Sequence, residues 1–245
     1  MANYSFECAY QINSHDCDYN NHIRPSGLLK YLQESANLHI ETMGQGYDVL
    51  KKKGQAFILS RLAVTLYEPI YAYDRLVSHT TPTESKGASF TRTTTLEKNG
   101  RVVAILSSLW ALVNVETKAL IRVNDADLDL PIGKERSHEA PLRFRVPGEV
   151  HLEPLGEIYA SYSVCDRNRH MNNTTYADAL CNLLPNLEGM RIAELSLCYQ
   201  AEMPLGETAT VLHGMDSEGV HYFKTSRASD GKSGVEARMR FVPLP

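Results

Sequence analysis

Apolar and polar residues alternate near the start of the chain. Phe6, Cys8, Tyr10 and Ile12 fall on one side of an extended backbone and predict a half-buried strand. The period then changes. From Pro25, a residue suited to a first helical turn, Leu28, Leu32, Ala36, His39, Ile40 and Met43 recur at helical spacing as far as Gly44, which predicts a helix with one buried face. Beyond it, runs rich in β-branched and aromatic residues predict strands over 56–67, 75–83, 89–96 and 102–115. Asn99-Gly100, between the last two, suits a type I′ hairpin turn, because both of its central positions need positive φ. Lys51-Lys52-Lys53 before Gly54 reads as a solvated helix end.

The same order of elements recurs. Cys17-Asp18-Tyr19-Asn20-Asn21-His22-Ile23 and Cys165-Asp166-Arg167-Asn168-Arg169-His170-Met171 match at a constant offset of 148. Around the second copy the pattern predicts a strand over 158–164, a shorter helix from about Asn173 to Leu184, and strands near 193–200, 208–212, 220–226 and 234–242. Turns fall at Ser217-Glu218-Gly219 and Asp230-Gly231. From about Asn124 to Gly148 the chain is rich in Asp, Glu, Pro and Arg without apolar periodicity. The expected organisation is therefore a first domain over 1–130, a linker over 131–150 and a second domain over 151–245. A helix embraced by a curled antiparallel sheet is the hotdog arrangement, so the expected fold class is α+β, a tandem (double) hotdog whose two sheets pair as a pseudo-dimer within one chain.

Composition narrows the setting. With 245 residues and 43% hydrophobic content the chain can bury a core without staples. Its five cysteines are widely spaced, without a Cys-x-x-Cys pair, and suggest neither a disulfide framework nor a structural zinc site. A reducing compartment fits. The N-terminal stretch Met1-Ala2-Asn3-Tyr4-Ser5-Phe6-Glu7 lacks the basic flank and apolar run of a signal peptide, and no apolar run is long enough to span a membrane. The expectation is a cytoplasmic protein without membrane attachment. A formal net charge of −4 argues against broad binding to nucleic acid.

The candidate chemistry lies in the second copy. Asp166, Asn168 and His170 alternate along what reads as an extended loop, which would project all three to one side just before the helix expected near Asn173. Unpaired N–H groups of a first helical turn, at the positive end of its dipole, can stabilise a carbonyl oxygen gaining negative charge. Glu202 supplies a second carboxylate. Aligning Leu66-Tyr67-Glu68-Pro69 with Tyr199-Gln200-Ala201-Glu202 puts Pro69 where Glu202 stands, so the first half keeps Asp18, Asn20 and His22 but loses this partner. Singly, each residue has an ordinary structural explanation: Asp and Asn before a helix cap or turn, and a lone His packs. Their combination in one copy carries the candidate site.

These residues resemble the acyl-ACP thioesterases of plants and bacteria, which are double-hotdog proteins, and the resemblance covers nearly the whole chain. Its most specific element is Asp166-x-Asn168-x-His170-Met171-Asn172-Asn173-x-x-Tyr176, similar to the family's Asp-x-Asn-x-His-Val-Asn-Asn-x-x-Tyr, with Met171 for Val. The run from Pro25 to Glu34 and Trp110 are similar to bacterial members. The resemblance implies hydrolysis of fatty acyl-[acyl carrier protein] to free fatty acid and holo-carrier, with the acyl-phosphopantetheine-bearing carrier protein as partner and neither metal nor organic cofactor. It further implies Asp166 and Glu202 as the acidic pair, His170 as orienting or proton-exchanging group, and Asn168 as a hydrogen-bonding group on substrate or water. Asn172, Asn173 and Tyr176 would contribute to substrate binding. The first hotdog would house the acyl tail against Leu28, Leu32, Phe57, Leu59 and Trp110, and the fused pseudo-dimer can still self-associate into a homodimer. One departure bears on mechanism: where the family has Glu followed by Cys, this chain has Glu202-Met203, and a thioether cannot attack a thioester.

Three other readings are open to the fold. Acyl-CoA hydrolysis is the same reaction on a nucleotide-bearing carrier, with Arg24, Lys30, Arg167, Arg169 and Arg191 available near the motif loops for either carrier. Hotdog hydratases and dehydratases carry Asp-x-Asn-Pro-x-His, whereas His170 follows Asp166 by four positions with no Pro between. A non-catalytic acyl-binding protein has no need of Asp166, Asn168, His170 and Glu202 together.

Overall fold

The computed structural model describes residues 5–245, so the reading of Met1 to Tyr4 as lacking a leader lies outside the described residues. The first half runs β1 (Phe6–Gln11), α1 (Pro25–Thr42), α2 (Tyr47–Lys52), β2 (Gln55–Leu66), β3 (Arg75–Lys86), β4 (Ser89–Lys98), β5 (Arg101–Asn114) and the short β6 (Leu120–Ile121). The second runs β7 (Glu153–Tyr159), α3 (Thr175–Cys181), β8 (Met190–Tyr199), β9 (Thr208–Met215), β10 (Val220–Arg227) and β11 (Ser233–Pro243). All strands join one antiparallel sheet in the order β1-β3-β4-β5-β2-β8-β11-β10-β9-β7, with β6 on β5. The order is symmetric about the β2–β8 pair, where Arg61 faces Cys198 and Thr65 faces Glu194. On the inner face there, Leu62 and Val64 meet Leu197 and Leu195, all buried, so the halves share one core across the junction.

The long helix forms where the periodicity placed it. It buries Leu28, Leu29, Leu32, Ser35 and His39, and Gly44 follows it at φ +68°. Gly27 lets its first turn press on the 3-10 turn Ser14–Asp16: a Cβ at that position would lie 2.8 Å from the Asp16 carbonyl oxygen. The Asn99-Gly100 turn has positive φ at both residues, as the hairpin required.

The second half departs from the pattern in two places. The strand is Glu153–Tyr159, earlier than 158–164, because the chain leaves the sheet at Ala160 and closes the 3-10 turn Tyr162–Val164, the counterpart of Ser14–Asp16. The helix covers only Thr175–Cys181, since the Asn172 side chain holds residues 172–174 in a turn through the Thr174 N–H, and Pro185 disfavours helical backbone at the residue before it. The segment without periodicity is nonetheless seated on both halves. His138 bridges Thr65 of β2 and Ser107 of β5 at 3.2 and 2.9 Å, the Ala140 N–H donates to Thr65 Oγ1, and Ser196 of β8 donates to the Pro141 carbonyl.

Polar latches lock the halves in register. Asp178 on α3 accepts from the Ser26 N–H at 2.8 Å and from the Ser26 hydroxyl, so the carboxylate of one half caps the helix of the other. Asn20, in the first motif loop, donates to the carbonyls of Leu187 and Met190 and accepts from the Gly189 N–H. Arg191 donates to the carbonyls of Leu66 and Tyr67. Replacing Asp178 with Ala is expected to lower unfolding stability by about 1–3 kcal/mol, the usual loss when a cap and its buried donors lose their acceptor. An unchanged denaturant midpoint would show that the latch contributes nothing.

Burial pushes the pKa values of His22 and His39 down to about 4, with the charges of Arg191 on His22 and of Arg92 on His39 acting the same way. Between the unfolded value near 6.5 and about 4 the unfolded chain binds more protons, so stability is full above that window and falls as pH drops through it. Asp178, whose carboxyl burial pushes up, opposes this as a single group. Urea melts at pH 7, 6, 5 and 4.5 should show steadily lower midpoints, with a shallower decline in His22→Phe. A flat profile contradicts the buried neutral histidines.

Candidate active site

The two motif copies fold into the same loop. In each, the Asp N–H donates to the His carbonyl, Asp18 to His22 and Asp166 to His170, and the Asp carboxylate accepts from the Asn N–H two residues on, at 2.8 Å in both cases. Asn21 and Arg169 occupy the left-handed region at φ +58° and +62°. The loop is thus a tight Asx turn and not the extended stretch that the alternation suggested: the Asp166 carboxylate folds back to hold its own loop.

The register of the flanking bridges also repeats. His22 pairs with Tyr71 and His170 with Pro204, while Ile23 donates to the Ile70 carbonyl and Met171 to the Met203 carbonyl, each at 2.8 Å. Pro69 therefore stands at the structural counterpart of Glu202. Met203 corresponds to Ile70, and both are buried core side chains, so the position next to Glu202 is used for packing.

Identical loops carry opposite environments. His22 is 1% exposed, its Nε2 has no partner among the described residues, and Asn20 is spent on the inter-half latch. In the second copy Asn168 is exposed, and the His170 side chain retains 32% of its accessible surface. Its Nδ1 lies 3.4 Å from Glu202 Oε2, a charge contact when the imidazole is protonated. Sequence reasoning missed the group that holds Glu202: Arg227 donates to the Glu202 carbonyl at 2.8 Å while its guanidinium is forked against Asp230, which raises the arginine's pKa and depresses the aspartate's. The Arg227-x-x-Asp230 spacing before the Gly231 turn was its one visible signal.

The residues that follow the motif mainly build its support. Asn172 accepts the Thr174 N–H on Oδ1 at 2.9 Å and the Thr175 N–H on its carbonyl at 2.9 Å, so the donors of the N-cap residue and of the first helical residue are occupied and do not face a substrate oxygen. The Asn173 carbonyl accepts from the Tyr199 hydroxyl at 2.7 Å, and Tyr199 packs edge-on against the buried Tyr176 at 5.9 Å. Leu28, Leu32 and Leu59 are buried in the main core. Phe57 packs with Leu50, Phe90 and Leu112, and Trp110 touches both clusters. Arg167 stacks on the Tyr47 ring of α2 at 3.3 Å, bringing the second-half loop against the first half. Burial and the neighbouring Asp166 push the Cys165 thiol up, leaving it poorly ionised.

Comparison with known proteins gives this geometry its family. The family model for the acyl-ACP thioesterase N-terminal domain matches residues 3–129, and that for the C-terminal domain matches residues 156–242. The chain is 23% identical over 221 residues to oleoyl-acyl carrier protein thioesterase 2, chloroplastic, of Arabidopsis thaliana, covering 81% of this chain and 60% of the plant protein. An acyl-ACP thioesterase structure from Bacteroides thetaiotaomicron superposes with a TM-score of 0.87 at 22% identity over 98% of both chains. The 12:0-ACP thioesterase structure from Umbellularia californica superposes with a TM-score of 0.78 at 15% identity over 99% of both. These likenesses establish the double-hotdog fold, and with family models matching both halves, the chain belongs to the acyl-ACP thioesterase family.

Proposed function

We propose that the protein hydrolyses the thioester of a fatty acyl group carried on acyl carrier protein, releasing free fatty acid and holo-carrier, with Glu202 as general base. The observation that carries this reading is the Glu202–His170 contact in the half whose loop is open, set against Pro69 and a buried His22 in the half whose loop is closed. Family membership supports the substrate class.

Glu202 takes a proton from water, and the water oxygen bonds to the thioester carbon. The tetrahedral oxyanion then collapses, the carbon–sulfur bond breaks, and the sulfur leaves with a proton delivered through His170. With Nδ1 turned to Glu202, the ring leaves Nε2 for substrate. Glu202 keeps 63% of its side-chain surface accessible, so water reaches it. Asp166 holds the loop that presents His170, and Asn168 offers an exposed amide to substrate or water.

In this reading residues 1–130 receive the acyl tail, 131–150 connect, and 151–245 carry the chemistry. We assign the work to the cytoplasm on the cysteine pattern, which fits a reducing compartment; among the described residues no helix is long and apolar enough to cross a membrane. Of the basic residues near the loops, Arg24 and Arg191 donate to backbone carbonyls and Arg167 covers Tyr47, which leaves Lys30 and Arg169 exposed for the acidic carrier.

Thiol release from matched acyl-ACP and acyl-CoA substrates tests the proposal. Glu202→Ala should lower kcat by at least ~100-fold while remaining folded, and absence of thioester hydrolysis by folded wild-type protein would sink the reading. Arg169→Glu should raise KM for acyl-ACP several-fold at low salt, with the difference shrinking as salt is added. Equal KM values at every salt concentration would remove Arg169 from the carrier surface.

A further inference from the structure

On the outer face of the sheet the linker supplies partners to the hydroxyls it crosses. His138 bonds Thr65 of β2 and Ser107 of β5, the Ala140 N–H donates to Thr65, and Ser196 of β8 donates to the Pro141 carbonyl. On β4 and β3, farther from the β2–β8 junction, that pattern stops. Alternation there sends Thr80, Arg92, Thr94 and Leu96 inward and His79, Thr81, Thr93, Thr95 and Glu97 outward, with Thr81 opposite Thr93 and His79 opposite Thr95. Thr93 and Thr95 are 4% and 2% exposed, yet Thr95 Oγ1 has no hydrogen-bond partner among the described residues. A buried hydroxyl left unpaired is destabilising, and native folds leave few of them.

These side chains face a cavity of about 670 Å³ between the strands and the linker, whose own contribution to the lining comes from residues 132–134 and 136. That volume is typical of small-molecule sites. The linker is pinned on both sides of the cavity: the Gly133 N–H donates to the Pro82 carbonyl at 2.8 Å, next to Thr81, and His138 is seated on β2 and β5. Between these anchors it stands over the hollow as a strap. Lys134 and Arg136 on the strap are exposed and take part in no ion pair among the described residues. Glu97, which also lines the cavity, lies 3.6 Å from His79 Nε2, while Glu7 lies 3.6 Å from His79 Nδ1. The cavity thus combines two unpaired cations, three hydroxyls that both donate and accept, and one carboxylate that accepts. Thr93 and Glu97 are four residues apart on β4, roughly 13 Å, which leaves room for an anionic group and a hydroxylated body side by side.

We propose that this cavity binds a phosphate monoester of a small polyhydroxylated compound, with the phosphate against Lys134 and Arg136 and the hydroxyls along Thr81, Thr93, Thr95 and Glu97. Charge-assisted bonds hold the phosphate, and the ligand gives the Thr95 hydroxyl the partner it lacks. None of these residues belongs to the candidate active site, so the inference stands apart from the proposed reaction. Calorimetric titration of wild-type protein with ribose 5-phosphate, AMP, inorganic phosphate and ribose tests it. At least one of the two esters should bind one site per chain, at least ~10-fold more tightly than phosphate or ribose alone. The two esters tell a free sugar phosphate from a nucleotide. Lys134→Ala combined with Arg136→Ala, both on the surface, should weaken binding at least ~10-fold, and Thr95→Val should weaken it roughly 5-fold. Glu202→Ala should bind as wild type does. The proposal is overturned if neither ester binds, if inorganic phosphate binds as tightly as the esters, or if the double variant binds them unchanged. The double variant decides the matter even where Thr95→Val does not fold.

Discussion

The antiparallel pairing of β2 with β8 is the constraint on which the rest depends. Five register pairs there join two curled sheets into one continuous sheet and let Leu62, Val64, Leu195 and Leu197 share one core across the junction. Further contacts between the halves gather beside that seam. The helix of the first half is capped by a carboxylate of the second, the closed motif loop is pinned to the second half by Asn20, and the open motif loop leans on Tyr47 of the first. A helix cap that bridges halves is cheap where both are already held in register, and it would be ineffective without the strand pairing beneath it.

Duplication followed by divergence is visible as physics at matched positions. The same Asx turn appears twice, with the Asp N–H on the His carbonyl, the Asn N–H on the Asp carboxylate and a left-handed residue at the matching position, so the loop itself is a local folding unit. What differs is the surroundings. Burial holds His22 neutral, and Pro69 offers it no carboxylate; His170 is half-open and faces Glu202, whose backbone Arg227 holds. One copy is spent on the junction, and the other keeps an accessible His170 beside Glu202.

Much of this was legible in the sequence. Period changes located β1 to β5 and α1 within a few residues, the 148-residue offset exposed the duplication, and the Pro69–Glu202 alignment survives in the bridges of His22 with Tyr71 and His170 with Pro204. Local readings failed where tertiary bonds decide the backbone. Alternation over 158–164 is shared by a strand and by a strand end turning into a 3-10 turn, and the late start of α3 follows from the turn that the Asn172 side chain closes on Thr174. The roles of Arg227 and Asp178 were not legible beyond the Arg227-x-x-Asp230 spacing, because each acts on a residue far away in sequence and no periodicity encodes such partners.

The central claim is that two identical loops have been assigned different work, and paired substitutions of their histidines test it most directly. The measurement is kcat/KM for acyl-ACP hydrolysis alongside the denaturant midpoint for His22→Ala and His170→Ala. The account predicts that His170→Ala loses most of its activity at a nearly unchanged midpoint, while His22→Ala lowers the midpoint and its folded fraction still turns over. Loss of turnover in folded His22→Ala, or full activity in His170→Ala, would contradict it.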